Sequence, residues 1–197
     1  MRTLVTTLAA VLFAGAASAA PQLNQPAPAF KLAGSDGKQH SLADYKGKYV
    51  VLEWTNHECP FVKKHYAGNM QMLQKDLTRK GAVWLSIVSS APGKQGAVDA
   101  AKATELTLAR GAAPTVVLLD PNGEAGRAYE AKTTPHMYIV APDGKLIYMG
   151  GIDSIPSSDA ADIPKATQYV QVALTEAMAG KPVTNASTRP YGCSVKY

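Results

Sequence analysis

Cysteine is scarce in this chain of 197 residues and occurs only as Cys59 and Cys193. A domain held together by a network of disulfides is therefore excluded, because such domains carry several cysteine pairs in a short chain. If the two thiols pair, the bond is either a single structural link or a redox couple. The cysteine count alone leaves both interpretations open.

Beyond its N-terminus the chain also lacks long apolar runs, basic stripes with interleaved aromatic residues, and internal repeats. No later segment is therefore expected to cross a membrane. The charges are interspersed, so the formal net charge of +5 does not indicate a nucleic-acid partner. Without a repeat or a linker, the chain has the size of one domain with a full core.

The N-terminal segment has the three parts of a secretory signal peptide. One positive charge at Arg2 precedes an apolar, uncharged stretch over residues 4–17, and Ala17-Ser18-Ala19 is a small-residue cleavage site. We therefore predict a signal peptide over residues 1–19, a periplasmic or secreted protein, and no membrane segment in the mature chain. The remaining chain divides into a domain over residues 20–180 and a C-terminal tail over 181–197 that carries Cys193.

Predicted strands and helices alternate along the domain, which indicates an α/β fold with a central mixed sheet flanked by helices. Gly34-Ser35-Asp36-Gly37 predicts an N-terminal β-hairpin between residues 29–32 and 38–42. Further strands are predicted over residues 49–54, 82–89, 115–119, 134–140 and 146–149. Helices are predicted over residues 60–79, 97–110, 124–129 and 163–179, followed by an irregular tail.

Cys59 is the strongest candidate for chemistry. It follows a buried strand and a short polar turn and precedes Pro60, so it is predicted to be the N-cap of a helix with proline at the first helical position. The free N–H groups and positive dipole end of such a helix stabilise a thiolate. Lys63, Lys64 and His57 add positive or titratable groups. The pattern predicts a reactive thiol of lowered pKa.

Histidines offer a second kind of chemistry. His57 and, by the predicted fold, His136 flank Cys59, and either could deprotonate the thiol or stabilise its thiolate. The same three residues, His57, Cys59 and His136, could instead bind copper or zinc in a metal-delivery protein. His65 is predicted to lie on the solvated face of its helix.

Several motifs together resemble one known family. They are Pro26-x-Pro28-x-Phe30, the apolar strand over residues 50–54, Cys59-Pro60-Phe61-Val62, Thr134-Pro135, and a C-terminal segment with Gly192-Cys193. The chain resembles the thioredoxin-like superfamily in its peroxiredoxin-related branch, the redoxins of the alkyl hydroperoxide reductase and thiol-specific antioxidant type. It is most similar there to exported proteins with a single cysteine in the motif and Gly-Cys near the C-terminus.

The resemblance implies a thioredoxin-like fold and an exported thiol–disulfide oxidoreductase or thiol-dependent antioxidant. Cys59 would attack a disulfide or a peroxide, and Cys193 would resolve the product. Pro135 matches the position of the superfamily's cis-proline, which sets the Thr134 backbone beside the reactive sulfur, where an extended substrate can pair.

Four positions depart from, or extend, that pattern. Val62 replaces the second cysteine of a thioredoxin motif. Asn56 stands where peroxiredoxins have threonine or serine and could donate a hydrogen bond to a peroxide, while Leu52 replaces an expected proline. Glu53 matches the buried acid of thioredoxins and could pass protons; a strand-end glutamate paired with a lysine is the alternative.

The resemblance implies no cofactor and no bound metal, and a thiol or disulfide protein or a small peroxide as the partner. Two other functions stay open from the sequence. One is the metal-delivery protein described above. The other is a non-catalytic binding module in which Cys59 and Cys193 form a structural disulfide.

Overall fold

The computed structural model describes residues 20–197, so the predicted signal peptide lies outside the described residues. Nine strands occur in this part of the chain. They are β1 Lys31–Gly34, β2 Gln39–Ser41, β3 Val50–Trp54, β4 Val83–Val88, β5 Val116–Leu119, β6 Thr133–Thr134, β7 His136–Val140, β8 Leu146–Gly150 and β9 Cys193–Ser194. Seven of them form the central sheet in the order β2-β1-β5-β4-β3-β7-β8, and β6 pairs separately with β9.

The central sheet is mixed, as the alternation of elements predicts. Strands β3, β4 and β5 are parallel neighbours, whereas β7 and β8 continue the sheet antiparallel beyond β3. The N-terminal hairpin of β1 and β2 joins the other edge by antiparallel pairing of β1 with β5. Every residue of β3, β4 and β7 is buried, because these central strands are covered on both faces.

Five helices cover the sheet: α1 Pro60–His65, α2 Asn69–Arg79, α3 Ala100–Ala109, α4 Glu124–Ala128 and α5 Tyr169–Met178. Side chains of α2 and α5 pack with Val51, Trp84 and Ile139 on one face. Alternate residues of the same strands face the N-terminal arm and α4 on the other face, where Trp54 packs with Tyr129. No helix in residues 20–197 has the length and apolar character needed to cross a membrane.

Three predicted elements are interrupted in the structure. The helix predicted over residues 60–79 is two helices, because Gly68 has a φ of 136°, which a right-handed helix cannot continue. The last helix begins at Tyr169 rather than at residue 163, because Pro164 lacks an N–H and residues 160–165 form a 3₁₀ turn instead. The strand predicted over 134–140 divides at Pro135 into β6 and β7.

The C-terminal tail, predicted to be irregular, is bound to the domain along its length. Near its start, Met149 N–H donates to the Ala186 carbonyl, and Thr188 N–H donates to the Met149 carbonyl. Further on, Val195 N–H donates to the Lys132 carbonyl, and Ala91 N–H donates to the Lys196 carbonyl. The tail therefore crosses from β8 to the loop before β6, and this path brings Cys193 to Cys59.

Candidate functional site

Cys59 lies where the sequence places it, at the N-cap of α1, with Pro60 in the first helical turn. Its backbone N–H donates to the Asn56 carbonyl at 3.1 Å, which closes the turn between β3 and α1. The Cys59 side chain is fully buried. Its protonated thiol donates to the Thr134 carbonyl, with 3.2 Å between the sulfur and the oxygen.

The two cysteines are free thiols, and their pKa values shift in opposite directions. Burial raises the pKa of the Cys59 thiol, but hydrogen bonds from the Cys193 thiol and from the N–H groups of Val62 and Cys193 outweigh it and lower that pKa below the usual value. Burial and the neighbouring Cys59 sulfur raise the pKa of Cys193 to about 11. These shifts make Cys59 the thiol that loses its proton first, while Cys193 stays protonated.

Strand pairing holds Cys193 in place. β9 runs antiparallel to β6, with Cys193 opposite Thr134 and Ser194 opposite Thr133. The Thr134–Pro135 peptide bond is cis, as the family resemblance implies. Gly192 has a φ of 136°, and a Cβ atom there would overlap the Thr134 carbonyl. Only glycine lets the tail approach Thr134 this closely.

Tyr191 anchors the tail to α1 through a buried polar cluster. Its hydroxyl donates to the Asp153 carboxylate and lies 3.2 Å from His65 Nε2 and 3.5 Å from Lys64 Nζ. The Lys64 ammonium is itself 3.4 Å from Asp153, and the Tyr191 ring packs edge-on against Phe61 at 5.8 Å. The helix that carries Cys59 and the tail that carries Cys193 are thereby joined two residues before Cys193.

The solvated position predicted for His65 is wrong, because the Tyr191 segment covers that face of α1 and leaves the side chain fully buried. Burial lowers the pKa of His65 to about 4, against the opposing effect of the Asp153 charge. The Lys64 ammonium, expected near the thiol, points to Asp153 and to the Ile155 carbonyl. Neither residue is free to act as a base for Cys59.

Glu53 is fully buried in a cage of donors on the α2 side of β3. The Trp84 indole and the Ser86 hydroxyl each donate to it at 2.8 Å, and the Tyr66 hydroxyl donates at 2.9 Å. Burial raises its pKa despite these hydrogen bonds. The alternative of a lysine-paired glutamate is wrong, because within residues 20–197 Glu53 forms no salt bridge. It also forms no hydrogen bond to either thiol in that part of the chain.

Asn56 and Glu58 bind the loop that follows β4. The Asn56 amide donates to the Gln95 carbonyl at 3.2 Å, and its oxygen accepts from the Glu58 N–H at 2.9 Å. Gly96 N–H donates to the Glu58 carboxylate at 2.7 Å. In this arrangement the Asn56 side chain fixes the turn that ends in Cys59, and its amide is already engaged.

The two histidines predicted to flank Cys59 have separate surroundings. His57 lines a small cavity with Tyr66 and Arg110 on the α3 side, and burial lowers its pKa. His136 is buried, and its Nδ1 accepts from the Lys132 N–H at 3.2 Å. Burial lowers the pKa of His136 to about 3, so it is neutral. Across the described residues no three His, Cys, Asp or Glu side chains form a metal-ligand cluster, so the proposed set of His57, Cys59 and His136 is wrong.

The sheet order, the covering helices and the thiol at the start of α1 define a thioredoxin-like protein. Residues 23–149 match the AhpC/TSA family. The chain belongs to that family, and this membership supports a thiol oxidoreductase or peroxiredoxin-like function in general. The tail with Cys193 lies beyond the matched residues.

Solved structures agree on the fold. An uncharacterized conserved protein from Geobacillus kaustophilus superposes with a TM-score of 0.80 at 28% identity, covering 89% of this chain and 92% of that one. A hypothetical protein, SMc02350, from Sinorhizobium meliloti 1021 gives 0.76 at 20% identity, covering 91% and 96%. A putative thiol:disulfide interchange protein DsbE from Chlorobium tepidum gives 0.54 at 23% identity, covering 66% and 85%. A search of curated proteins found no match.

The structure adds Tyr191 and Asp153 to the site and gives Lys64 and Gly192 roles that the sequence did not predict. Tyr191, Asp153 and Lys64 connect the tail to α1, and Gly192 permits the close approach of the tail to Thr134. The signals for the first three are weak, because the partners lie 38 to 127 residues apart in the chain. Gly192, directly before a cysteine, is the one position with a local signal.

Proposed function

We propose that this chain is an exported thiol oxidoreductase in which Cys59 is the nucleophile and Cys193 is the resolving thiol. The observation that carries the proposal is the strand pairing that sets Cys193 opposite Thr134, whose carbonyl accepts from the Cys59 thiol at 3.2 Å. In this arrangement the pKa is lowered at Cys59 and raised at Cys193. A purely structural cysteine pair needs no such difference. A nucleophile of lowered pKa beside a protonated thiol is the arrangement that disulfide exchange and peroxide reduction both require.

The proposed reaction has two steps with a disulfide substrate. The Cys59 thiolate attacks one sulfur, a Cys59 mixed disulfide forms, and the second substrate sulfur leaves as a thiolate. Cys193 then loses its proton and attacks the Cys59 sulfur, which forms the Cys59–Cys193 disulfide and releases the other substrate thiolate. The substrate disulfide is reduced by two electrons, and the two protein thiols are oxidised.

With a peroxide, the Cys59 thiolate attacks one peroxide oxygen and becomes a sulfenic acid, and the alcohol or water leaves. The Cys193 thiol then condenses with the sulfenic acid to give the same disulfide and one water. An external dithiol returns the enzyme to the reduced state in either case. Deprotonation of Cys193 is the difficult step, because its pKa is raised to about 11 in the reduced protein. Oxidation of Cys59 removes the thiolate charge that contributes to this rise.

The other candidate residues take supporting roles in this proposal. Thr134 and Pro135 set the backbone against the Cys59 sulfur, and Thr134 pairs with Cys193. Asn56 holds the turn that positions Cys59, and His57 borders it. Glu53 serves as a buried acid that exchanges protons through its hydrogen-bonded neighbours. Export rests on the predicted signal peptide; a pneumococcal exposed lipoprotein thioredoxin is 26% identical over 68% of this chain.

Trapping experiments test the two-thiol mechanism. Wild-type protein oxidised by hydrogen peroxide or by oxidised glutathione should contain an intramolecular Cys59–Cys193 bond in non-reduced peptide maps. Cys193→Ser should instead retain a sulfenic acid that reacts with dimedone, or a glutathione mixed disulfide, on Cys59. Cys59→Ser should form neither product at Cys193 on the same timescale, because the thiol left behind has no lowered pKa.

Two outcomes would contradict the proposal. One is oxidised wild-type protein in which both thiols remain free. The other is a bond that forms but cannot be reduced by dithiothreitol without a loss of folding stability of about 2–5 kcal/mol, which is the behaviour of a structural disulfide. The second outcome would favour the non-catalytic binding module.

A further inference from the structure

The tail occupies the backbone edge that an extended polypeptide would use to reach Cys59. Within residues 20–197, β6 has one strand partner, and that partner is β9 of the same chain. Cys193 lies opposite Thr134, and the Val195 N–H donates a hydrogen bond to the Lys132 carbonyl. A peptide that docks by strand addition needs these same backbone groups. The edge is therefore filled by an internal segment.

The burial of Cys59 is consistent with a tail that fills this edge of β6. The Cys59 side chain has no exposed surface, whereas Cys193 above it is partly exposed. Because the backbone groups of Thr133 and Thr134 are paired with β9, a polypeptide disulfide can dock on this edge only after the strand leaves, whereas a small oxidant needs none of these backbone groups. A cleft of about 520 Å³ lies beside the paired tail, with Thr133 and Gly192 on its walls.

Both ends of the paired segment are anchored. On one side the Tyr191 hydroxyl is bound by Asp153 and His65. On the other side the Tyr197 hydroxyl donates to the Ala131 carbonyl at 2.8 Å, and the Tyr197 ring lies under the Arg127 guanidinium. The segment between these anchors pairs with β6 through Cys193 and Ser194, so the strand is held on both sides of the paired residues.

We propose that residues 192–195 act as a substrate-like strand that closes Cys59 to polypeptide disulfides and leaves it open to small peroxides and small disulfides. The proposal rests on the proposed function of Cys59 for its chemistry and adds the substrate class. The tail thus has two roles, because it carries the resolving thiol and excludes large substrates from the same edge.

Gly192→Ala is the variant that opens the cover with the smallest chemical change. The added methyl group would overlap the Thr134 carbonyl, and the φ of 136° disfavours any side chain. Gly180→Ala is the matched control, since Gly180 also has a positive φ, but a methyl group added there would meet no atom within 4 Å. Val195→Pro opens the cover independently by removing the N–H that binds Lys132. All are made in a Cys193→Ser background, so that Cys59 is the single thiol.

The measurement is the rate of Cys59 modification by a small and by a bulky reagent, iodoacetamide and a polyethylene glycol maleimide. The two opening variants, Gly192→Ala and Val195→Pro, should react with the bulky reagent faster by about tenfold or more. The reason is that this reagent reaches Cys59 only when the strand separates from β6. The rate with iodoacetamide should change far less, and Gly180→Ala should match its parent with both reagents. Equal bulky-reagent rates in the parent and in both folded opening variants would overturn the proposal.

Oxidation rates separate the failure of this proposal from that of the proposed function. The ratio of the Cys59 oxidation rate with insulin to that with hydrogen peroxide should rise by about tenfold in the opening variants. An unchanged ratio would overturn the substrate-class proposal while leaving a reactive Cys59 intact. If neither oxidant reacts in any variant but the bulky-reagent rate still rises, the cover is supported and the proposed catalytic function fails.

Discussion

At the scale of single residues, the pKa of Cys59 is lowered and the pKa of Cys193 is raised. The N–H of Val62 in α1, together with the thiol and the N–H of Cys193 in the tail, lowers the pKa of the Cys59 thiol. Burial acts against all of these and would by itself raise the pKa of the Cys59 thiol. The lowered pKa of Cys59 is therefore a joint property of α1 and the tail, and it depends on the side chain at position 193.

Removing the Cys193 thiol should raise the pKa of Cys59. Cys193→Ala deletes the side-chain donor and keeps the backbone N–H, so the thiolate loses one hydrogen bond. Cys193→Ser keeps a donor and should shift the pKa less. The pH dependence of iodoacetamide alkylation gives both midpoints, with the wild-type Cys59 midpoint below the free-thiol value of about 8.5. A midpoint in the alanine variant equal to or lower than that in the serine variant would contradict this account.

At the scale of elements, local signals predicted the junction that carries Cys59, but not its surroundings. An apolar run, a polar turn and a proline mark the end of β3 and the start of α1, and all three are neighbours in sequence. The burial of His65 could not be predicted in the same way, because the residues that cover it, Asp153 and Tyr191, lie 88 and 126 residues away in the chain. The hydrophobic periodicity of a helix cannot predict that polar residues of a distant segment will bury one of its faces.

The strand order and the tail show the same limit. Alternating strands and helices predict a mixed central sheet, because crossover connections constrain the order of parallel strands. Nothing local in residues 192–195 predicts pairing with Thr134, which is 59 residues away. The family resemblance supplied Cys193 as a partner for Cys59, and the structure supplied the register that places the two thiols together.

The link between α1 and the tail should depend on one hydroxyl group. Tyr191→Phe removes the donor to buried Asp153 and the contacts to Lys64 and His65, so the free energy of unfolding should fall by about 2 kcal/mol. Disulfide formation between Cys59 and Cys193 should also slow, because Tyr191 fixes the tail. Urea unfolding of the reduced protein and quenched-flow alkylation of the free thiols measure the two effects.

Tyr169→Phe is the control for that change. Tyr169 lines the same cleft, and within residues 20–197 its hydroxyl takes part in no hydrogen bond, so its loss should cost less than about 0.5 kcal/mol. Similar losses in the two variants would mean that the buried cluster does not anchor the tail. A loss of stability in Tyr191→Phe without slower disulfide formation would assign the cluster to folding alone.

At the scale of the whole molecule, buried titratable groups on both faces of the sheet connect stability to pH. His65 and His136 are held neutral, because burial lowers the pKa of His65 to about 4 and that of His136 to about 3. Glu53 contributes with the opposite sign, since burial raises its pKa. Its stabilisation is present below the unfolded-state pKa and is lost as the pH rises through the raised folded-state value. The stability curve of the protein is the sum of these opposing contributions.

A comparison with one variant isolates His65. In the unfolded chain a histidine takes up its proton near pH 6.5, whereas folded His65, facing Asp153 and Lys64, does so only near pH 4. Between these values the unfolded state binds more protons, so stability contributed by neutral His65 is full above pH 6.5 and falls as the pH is lowered. The advantage of wild type over His65→Gln in unfolding free energy should shrink by about 3 kcal/mol from pH 7 to pH 4.

Subtraction of the two unfolding curves removes the contributions of Glu53 and His136, which are the same in both proteins. The remaining pH dependence should change little with added salt, because burial rather than exposed charge pairing sets the pKa of His65. Urea titrations of both reduced proteins across this pH range provide the measurement. A difference that stays constant would show that folded His65 takes up its proton as readily as in the unfolded chain. A difference that grows on acidification would show that His65 is protonated in the folded protein and paired as a cation with Asp153. In that case the cluster joining α1 to the tail would be strengthened by acid, and the cover over Cys59 would tighten rather than loosen as the pH falls.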